Sequence, residues 1–343
     1  MSGTSLDGLD IAFCTFSKQG KNWKYEIKKT ETISYNKQWK DKLQTAHLLS
    51  SQELLKLHTV FGKFMGEKVS QFIKKNKISK IDLVSSHGHT VFHQPQNGFT
   101  LQIGDGASLA AIAGIKTVCD FRSTDVALGG QGAPLVPIGD ELLFSKYDAC
   151  LNIGGIANIS FKNKGKRVAF DICPTNMVFN YLAKKAGHDY DKDGKLASKG
   201  IFNGDLFERF NSLPFYKNYK SKSLGREWIE ENFISVLEKS KLSIEAKLAT
   251  ASEHAAFQTA RVLNNFNIKN VLVTGGGAYN KDFLNRISAY TNCELHLPDD
   301  KTIQFKEALI FAFLGVLRLR NEINTLKEVT GAKRSSCGGA LYL

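Results

Sequence analysis

No stretch of the 343 residues approaches the ~18 uninterrupted apolar positions that a membrane-spanning helix requires. The opening string MSGTSLDG lacks the basic head and apolar core of a signal peptide. These two absences lead us to expect a soluble, cytoplasmic protein without a membrane partner. Cysteine pairs at metal-binding or redox spacing are missing too. Cys14, Cys119, Cys150, Cys173, Cys293 and Cys337 are scattered, mostly inside apolar runs such as YDACLNIGG, and read as reduced core thiols rather than a disulfide framework or a zinc site. Acidic residues are in deficit, 33 against 46 Lys+Arg, for a net charge of +13. Such an excess invites a nucleic-acid reading, because phosphate neutralisation needs clustered cations. The clustering is poor: the densest run, residues 162–167 in FKNKGKRVAF, reads as a hairpin tip with no interleaved aromatics to stack bases. A solvated lysine-rich surface that attracts small anions is expected, with no nucleic-acid partner. No glycine loop is followed by GK[ST] and none has GxGxxG spacing, which disfavours a Walker-type NTPase and a dinucleotide fold.

What is present describes an ordinary globular chain, 42% hydrophobic and 23% charged, long enough for two cores. Residues 9–16 (LDIAFCTF) and 23–32 (WKYEIKKTET) predict two paired strands. Residues 52–74 place Leu54, Leu57, Phe61, Phe64 and Phe72 at helical spacing, with Ser51 as the cap. Short apolar strands follow in IDLVSSHGHT, FTLQIGDG and IKTVCDFRSTD, with a small-residue helix over 107–113. Residues 148–160 and 167–171 predict two strands of a second meander, and 176–186 a helix. Helix over 252–266, a buried strand over 270–274, a helix near Asn280 and a last helix over 305–320 complete the pattern. Strands alternating with helices twice over predict an α/β protein of two similar lobes with a cleft between them.

Three glycine-bearing loops adjoin these strands: residues 2–8 (SGTSLDG), 152–158 (NIGGIAN) and 274–278 (TGGGA). Glycine lets the main chain approach a phosphate with its N–H groups inward, and Ser or Thr adds hydroxyl donors. One such loop reads equally as a tight hairpin. Three together, one of them at a helix start, favour nucleotide phosphate binding.

Two strand-loop-strand hairpins with a GGG loop resemble the superfamily of sugar kinases, heat-shock ATPases and actin. The strings SGTSLDGLD, SSHGHTVFHQP, LQIGDG, DFRSTDVALGGQGAPLVP, LNIGGIANIS, YDKDGKLASKG, VTGGGAYN and the late VTGA are similar to the anhydro-N-acetylmuramic acid kinase family, in its order and over nearly the whole chain. The resemblance implies a two-lobed actin-like ATPase fold, ribonuclease H-like, with a central nucleotide and substrate cleft. It implies lobes at 1–122 plus 328–343 and at 123–327. It also implies ATP and Mg²⁺ as cofactors, an amino sugar as substrate and a homodimer. The implied reaction uses ATP and water to open the 1,6-anhydro ring and phosphorylate O6, giving N-acetylmuramic acid 6-phosphate and ADP in peptidoglycan recycling.

That chemistry calls for a base to activate water at the anomeric carbon while O6 takes the phosphoryl group. Asp171 in RVAFDICPTN matches the family's base, though an aspartate there could instead cap the following turn or helix. By the same resemblance Gly3, Thr4, Ser5, Leu6, Asp7 and Gly8 face the phosphates, with Asp7 holding Mg²⁺ through water. Gly154, Gly155 and Asn158 cradle from the other lobe, and Gly275, Gly276 and Gly277 sit against adenosine. Thr90, Arg122, Asp125 and Glu307 fall to the sugar. Arg122 either grips the lactyl carboxylate or pairs with Asp120 or Asp125, and Glu307 is either a cleft residue or a first-turn helix acid. His87, His89 and His93 also have a spacing compatible with metal ligation. Two departures stand out. Thr175 replaces a family glycine after Asp171, and the apolar strand that family members carry before MSGTSLDG is absent, so we expect the sequence to be short by about ten residues. An actin-like assembly protein or chaperone-type ATPase, a metal-dependent transferase of the same superfamily, and a catalytically dead binding remnant are the competing readings.

Overall fold

The computed structural model describes residues 1–343 apart from 4–5 and 218–221. By internal contacts the chain divides into two compact units, Met1–Leu143 with Phe305–Leu343, and Phe144–Gln304. Residues 123–143 and 305–327 therefore belong to the first unit and not to the second lobe where the sequence reading put them. The reason lies in their packing. Asp125 holds Thr330, and Gly139 lies against Ile310, so both segments are built into the first unit.

In the first unit the chain lays down β1 (Gly8–Gln19), β2 (Asn22–Ser34), β3 (Val84–Ser85), β4 (His89–Gln94), β5 (Phe99–Ile103) and β6 (Thr117–Cys119). The second unit holds β7 (Ala149–Ile153), β8 (Ile156–Asn163), β9 (Lys166–Pro174), β10 (Asn270–Thr274) and β11 (Glu294–His296). The chain then returns to the first unit for β12 (Ala340–Tyr342). The expected long strand over 148–160 is a hairpin of two strands, β7 and β8, because Gly154 and Gly155 turn the chain back on itself.

The second unit carries one five-stranded sheet in the order β11-β10-β7-β8-β9. Strands β7, β8 and β9 are antiparallel neighbours, whereas β10 runs parallel to both β7 and β11. Leu151, Ile153, Phe161 and Phe170 pack its core with Leu263 from the helix Ile244–Asn265. That helix starts eight residues before the expected 252, capped by Ser243, whose side chain accepts from the amide of Ala246. The tip at Lys164 and Gly165 takes two positive φ values, the primed geometry that suits a two-residue hairpin.

The first unit has the β1–β2 hairpin, a three-stranded set β12-β6-β3 and the β4–β5 pair. Leu9, Tyr35, Phe61, Met65, Ile103 and Leu109 form its core. The long helix Ser51–Lys75 is capped by Ser50 rather than Ser51: Ser50 and Glu53 satisfy each other's amides in a capping box. The helix Asp300–Leu319 is two segments joined at a kink at Phe305, where φ is −115° and ψ 15°, and the second segment starts where the sequence pattern places it; a short helix, Lys327–Thr330, follows. No helix among the described residues is long and apolar enough to cross a membrane.

Met1 and Ser2 behave as the end of a strand. Ser2 bridges Leu9 in antiparallel sense and His89 in parallel sense, and Met1 exchanges main-chain bonds with Asp10, both at 2.9 Å. Beyond them a cavity of about 610 Å³ runs between β1 and β3, floored by Met65 and Phe72 on one side and Phe311 and Val316 on the other.

Candidate active site

In the second unit the focus is Asp171, on β9 opposite Asn158 of β8. A bulge beside this pair shifts the register between Ala157 and Asn158. Asp171 caps no helix. Its amide donates to the Lys222 carbonyl at 2.9 Å, and its Oδ2 accepts from the Leu224 amide at 2.8 Å. Oδ1 has no partner among the described residues. Burial pushes the Asp171 carboxyl up from its ordinary value, opposed in part by the Leu224 bond. Lys222, which turns its ammonium to the Phe215 carbonyl at 2.6 Å and over the Phe215 ring, is lowered by desolvation to about 8.

The turn at Gly154 and Gly155 joins β7 to β8, and its carbonyls are used by the start of the helix Asn176–Lys185. Thr175 donates through Oγ1 to the Gly154 carbonyl at 2.9 Å and through its amide to the Gly155 carbonyl at 2.9 Å. Thr175 has negative φ, so the position does not need glycine, and its hydroxyl stitches the turn to the helix. Gly275 takes φ +84°, and a Cβ there would meet Asn152 and Ile153 at 2.7 Å. A Cβ on Gly277 would come within 2.1 Å of Ile153. Packing therefore explains both residues. It does not explain Gly154 or Gly276, which lack positive φ and would place a Cβ no closer than 3.4 Å and 3.8 Å to any neighbour. Gly275 caps a single 3₁₀ turn, Gly276–Tyr279, that precedes the helix capped by Asn280.

In the first unit the centre is Arg122. It pairs with neither Asp120 nor Asp125. Its Nε and Nη2 converge on His87 Nε2 at 3.1 and 2.9 Å, and Nη1 donates to the Gly132 carbonyl at 2.6 Å. No carboxylate among the described residues lies within ion-pair distance of it. Asp120 instead accepts from the Ser123 hydroxyl and amide. Asp125 is 1% exposed, with Oδ2 accepting from the Gly132 amide at 2.7 Å and Oδ1 from the Thr330 hydroxyl at 2.8 Å. It is a clamp on the GGQG loop, not a group open to a ligand.

Glu307 lies two residues past the break at Phe305, in the first turn of the second segment of the helix Asp300–Leu319, where a first-turn acid was one of the two expectations. Solvent reaches its side chain, yet protein crowds it enough for desolvation to raise its carboxyl, opposed by the charges of Arg122 and the Met1 amine. Thr90 sits on β4 beside a bulge, paired with Gln102. Asp7 is exposed ahead of β1, Gly3 accepts from the Leu6 amide at 3.3 Å, and Leu6 takes φ 58°. Thr4 and Ser5 lie outside the described residues. Gly8 packs against β2, where a Cβ would meet the Ile33 carbonyl at 2.6 Å.

The histidines do not gather around a metal. His87 faces Arg122, His89 meets the Ser2 hydroxyl at 3.0 Å, and His93 meets the Thr100 hydroxyl at 3.1 Å. Among the described residues no three His, Cys, Asp or Glu side chains could hold a metal ion together. Sequence reasoning missed the 222–224 strap on Asp171, for which no motif exists, and the grip of His87 on Arg122, for which the HGHT string after a strand was the available signal.

The five-strand order of the second unit, with a glycine turn between its first two antiparallel strands, is that of the ribonuclease H-like fold of actin-type ATPases and sugar kinases. The profile of the anhydro-N-acetylmuramic acid kinase family matches residues 1–343, and the chain belongs to that family. It is 32% identical over 379 aligned residues to the anhydro-N-acetylmuramic acid kinase of Caldanaerobacter subterraneus subsp. tengcongensis, covering 100% of this chain and 96% of that one. The Zymomonas mobilis kinase of the same name is 33% identical over 372 residues, covering 100% and 98%. Among solved structures, the chain is similar to a putative N-acetylmannosamine kinase from Listeria monocytogenes. The TM-score is 0.35 at 12% identity, with coverage of 89% of this chain and 100% of that one. It is also similar to the ADPNP-bound activator of 2-hydroxyisocaproyl-CoA dehydratase from Clostridium difficile, with TM-score 0.33, 18% identity and coverage of 62% and 82%.

Proposed function

We propose that this kinase opens the 1,6-anhydro bond of anhydro-N-acetylmuramic acid with water and transfers the γ-phosphoryl group of ATP to O6, returning cell-wall sugar as N-acetylmuramic acid 6-phosphate. The observation that carries the reading is Asp171, a carboxylate anchored through Oδ2 with Oδ1 left over, whose proton affinity burial has raised. A base needs such a group: one oxygen fixes its direction and the other takes the proton. Water attacks C1, its proton passes to Asp171, the C1–O6 bond breaks, and O6 receives the phosphoryl group, leaving ADP.

ATP supplies an activated phosphoryl group, and the glycines fit it. Gly154 and Gly276, unexplained by packing, let a nucleotide approach the main chain where side chains would stand in the way. Gly155, Gly275 and Gly277 shape the same turns, and Asn158 stands on β8 opposite Asp171. In the first unit Gly3 to Gly8 form the second phosphate loop, and the exposed Asp7 would hold Mg²⁺ through water, as a cation that keeps most of its hydration shell allows. Arg122, Thr90 and Glu307 recognise the sugar, while Asp125 holds the loop whose Gly132 carbonyl takes an N–H of Arg122. A cytoplasmic homodimer belongs to the same reading.

The test is a reaction with ATP, Mg²⁺ and the anhydro-sugar in ¹⁸O-water. Label is expected at C1 of the product and none in phosphate. Label in inorganic phosphate beside unchanged sugar would mean a simple ATPase.

A further inference from the structure

Arg122 has no carboxylate within ion-pair distance among the described residues. Its guanidinium is largely enclosed, and burial lowers its pKa while the charge of Glu307 opposes that. Three of the five N–H donors of a guanidinium are spent here, two on His87 and one on the Gly132 carbonyl. The two that remain, one on each terminal nitrogen, have no partner among the described residues. A planar pair of donors on adjacent nitrogens matches a carboxylate.

His87 decides where that pair points. Its Nε2 faces two donors, so it must carry a lone pair, which leaves the ring proton on Nδ1, 3.1 Å from the Gly88 carbonyl. The ring lies edge-on to Phe311 at 4.6 Å and cannot swing freely. Burial, Arg122, the Met1 amine and His89 all hold the imidazole well below its usual pKa, opposed only by the Gly88 bond. The groups around it thus keep it neutral, and a neutral ring can accept from a cation that an imidazolium would repel.

We propose that His87 is a positioning residue: by accepting both N–H groups on one edge of Arg122 it turns the remaining two toward a carboxylate borne by the sugar, and so sets the preference for acid-bearing over neutral anhydro-sugars. This rests on the functional reading above, with Arg122 as the sugar-carboxylate receptor.

The experiment compares wild type with His87→Phe, which keeps a flat ring and loses the acceptor, and His87→Gln, whose amide oxygen can reach the Nε2 position. For the carboxylate sugar, His87→Phe should raise KM about tenfold with kcat changed less than threefold, and His87→Gln should stay within threefold of wild type. For the same sugar with its carboxylate converted to an amide, all three proteins should share one KM. Equal KM for the acid in wild type and His87→Phe, or an equal rise for acid and amide, would overturn the proposal.

A readout independent of turnover separates this from failure of the functional reading. In ¹⁵N NMR the Arg122 Nε–H should be slowly exchanging in wild type and His87→Gln. On addition of D-lactate as the carboxylate probe, its resonance should shift in those two and not in His87→Phe. The same shift in all three would sink the role of His87 even if the enzyme acted on another sugar.

Discussion

Asp171 and Leu224 are joined by a single hydrogen bond of 2.8 Å from the Leu224 amide to Oδ2, across 53 positions of chain. That bond keeps the carboxylate aimed and partly offsets the effect of burial on its proton affinity. Because the folded pKa is raised, the ionised base is lost at a higher pH than for an ordinary aspartate. The acid limb of kcat/KM should therefore fall above the usual carboxylate range of about 4. A limb at or below the unperturbed value would remove Asp171 from the role.

Asp171→Asn should lower kcat by about 10²- to 10⁴-fold. Its stability should not fall. A carboxyl whose folded pKa is raised contributes stability below its unfolded pKa and loses it as pH climbs through the folded one, so at neutral pH the charge is a burden that asparagine lacks. The check is a thermal midpoint at pH 7.5 equal to or above wild type, beside the lost turnover.

The three glycines of interest in the second unit should separate into two kinds. Gly154→Ala and Gly276→Ala place a methyl in ordinary contact distance, so midpoints should hold within a few degrees while KM for ATP rises about tenfold or more. Gly277→Ala drives a methyl into Ile153 on β7 and should cost about 1–3 kcal/mol of stability. Urea titration with parallel ATP kinetics distinguishes them. A large loss of stability in Gly276→Ala with unchanged KM would assign that glycine to the fold.

Asp125→Ala should act on the first unit's architecture. It leaves the buried Gly132 amide unsatisfied, at about 1–3 kcal/mol, and removes the nearer of the two acceptors of the Thr330 hydroxyl, which keeps the Leu326 carbonyl at 3.3 Å. It also frees the loop whose carbonyl holds Arg122. The expected result is a lower unfolding midpoint together with a raised sugar KM. Asp125→Asn, which can still accept one of the two bonds, should be intermediate.

The cavity between β1 and β3 should accept a strand. By alternation from Asp10, which bonds to Met1, the main-chain groups of Ala12 face it, and by the pairing of Val84 and Ser86 to β6 so do those of Ser85. Extending the N-terminus by six alternating Val and Ile residues should raise the midpoint by about 5 °C or more, since each buried side chain adds about 1.5–3 kcal/mol before ordering costs. Hydrogen exchange at Ala12 and Ser85 should slow at least a hundredfold. A Gly-Ser extension of equal length should do neither, and identical behaviour of the two extensions would show that the cavity is not strand-shaped.

What the sequence disclosed was local. Residues 270–274 are as apolar and β-branched as a buried strand must be, and the strand occupies those five positions. Lys164-Gly165 announces its turn, and the glycine loops sit where composition puts them. Local misreadings moved a cap or an element end, as at Ser50 and Ile244, or missed the turn at Gly154; those that bear on the site are long-range. Nothing near Asp171 points to Leu224, nothing near Arg122 points to Gly132 as well as His87, and nothing in residues 123–143 marks them as part of the first unit. Side-chain pattern carries the fold of each segment, while the partners of a charged group depend on which segments tertiary packing brings together.

Two facing edges with unspent amides and carbonyls, walled by Phe72 and Phe311, amount to a mould. A mould of this kind reads backbone direction and apolar bulk rather than residue identity, so an extended segment is retained there for its alternation more than for its particular side chains.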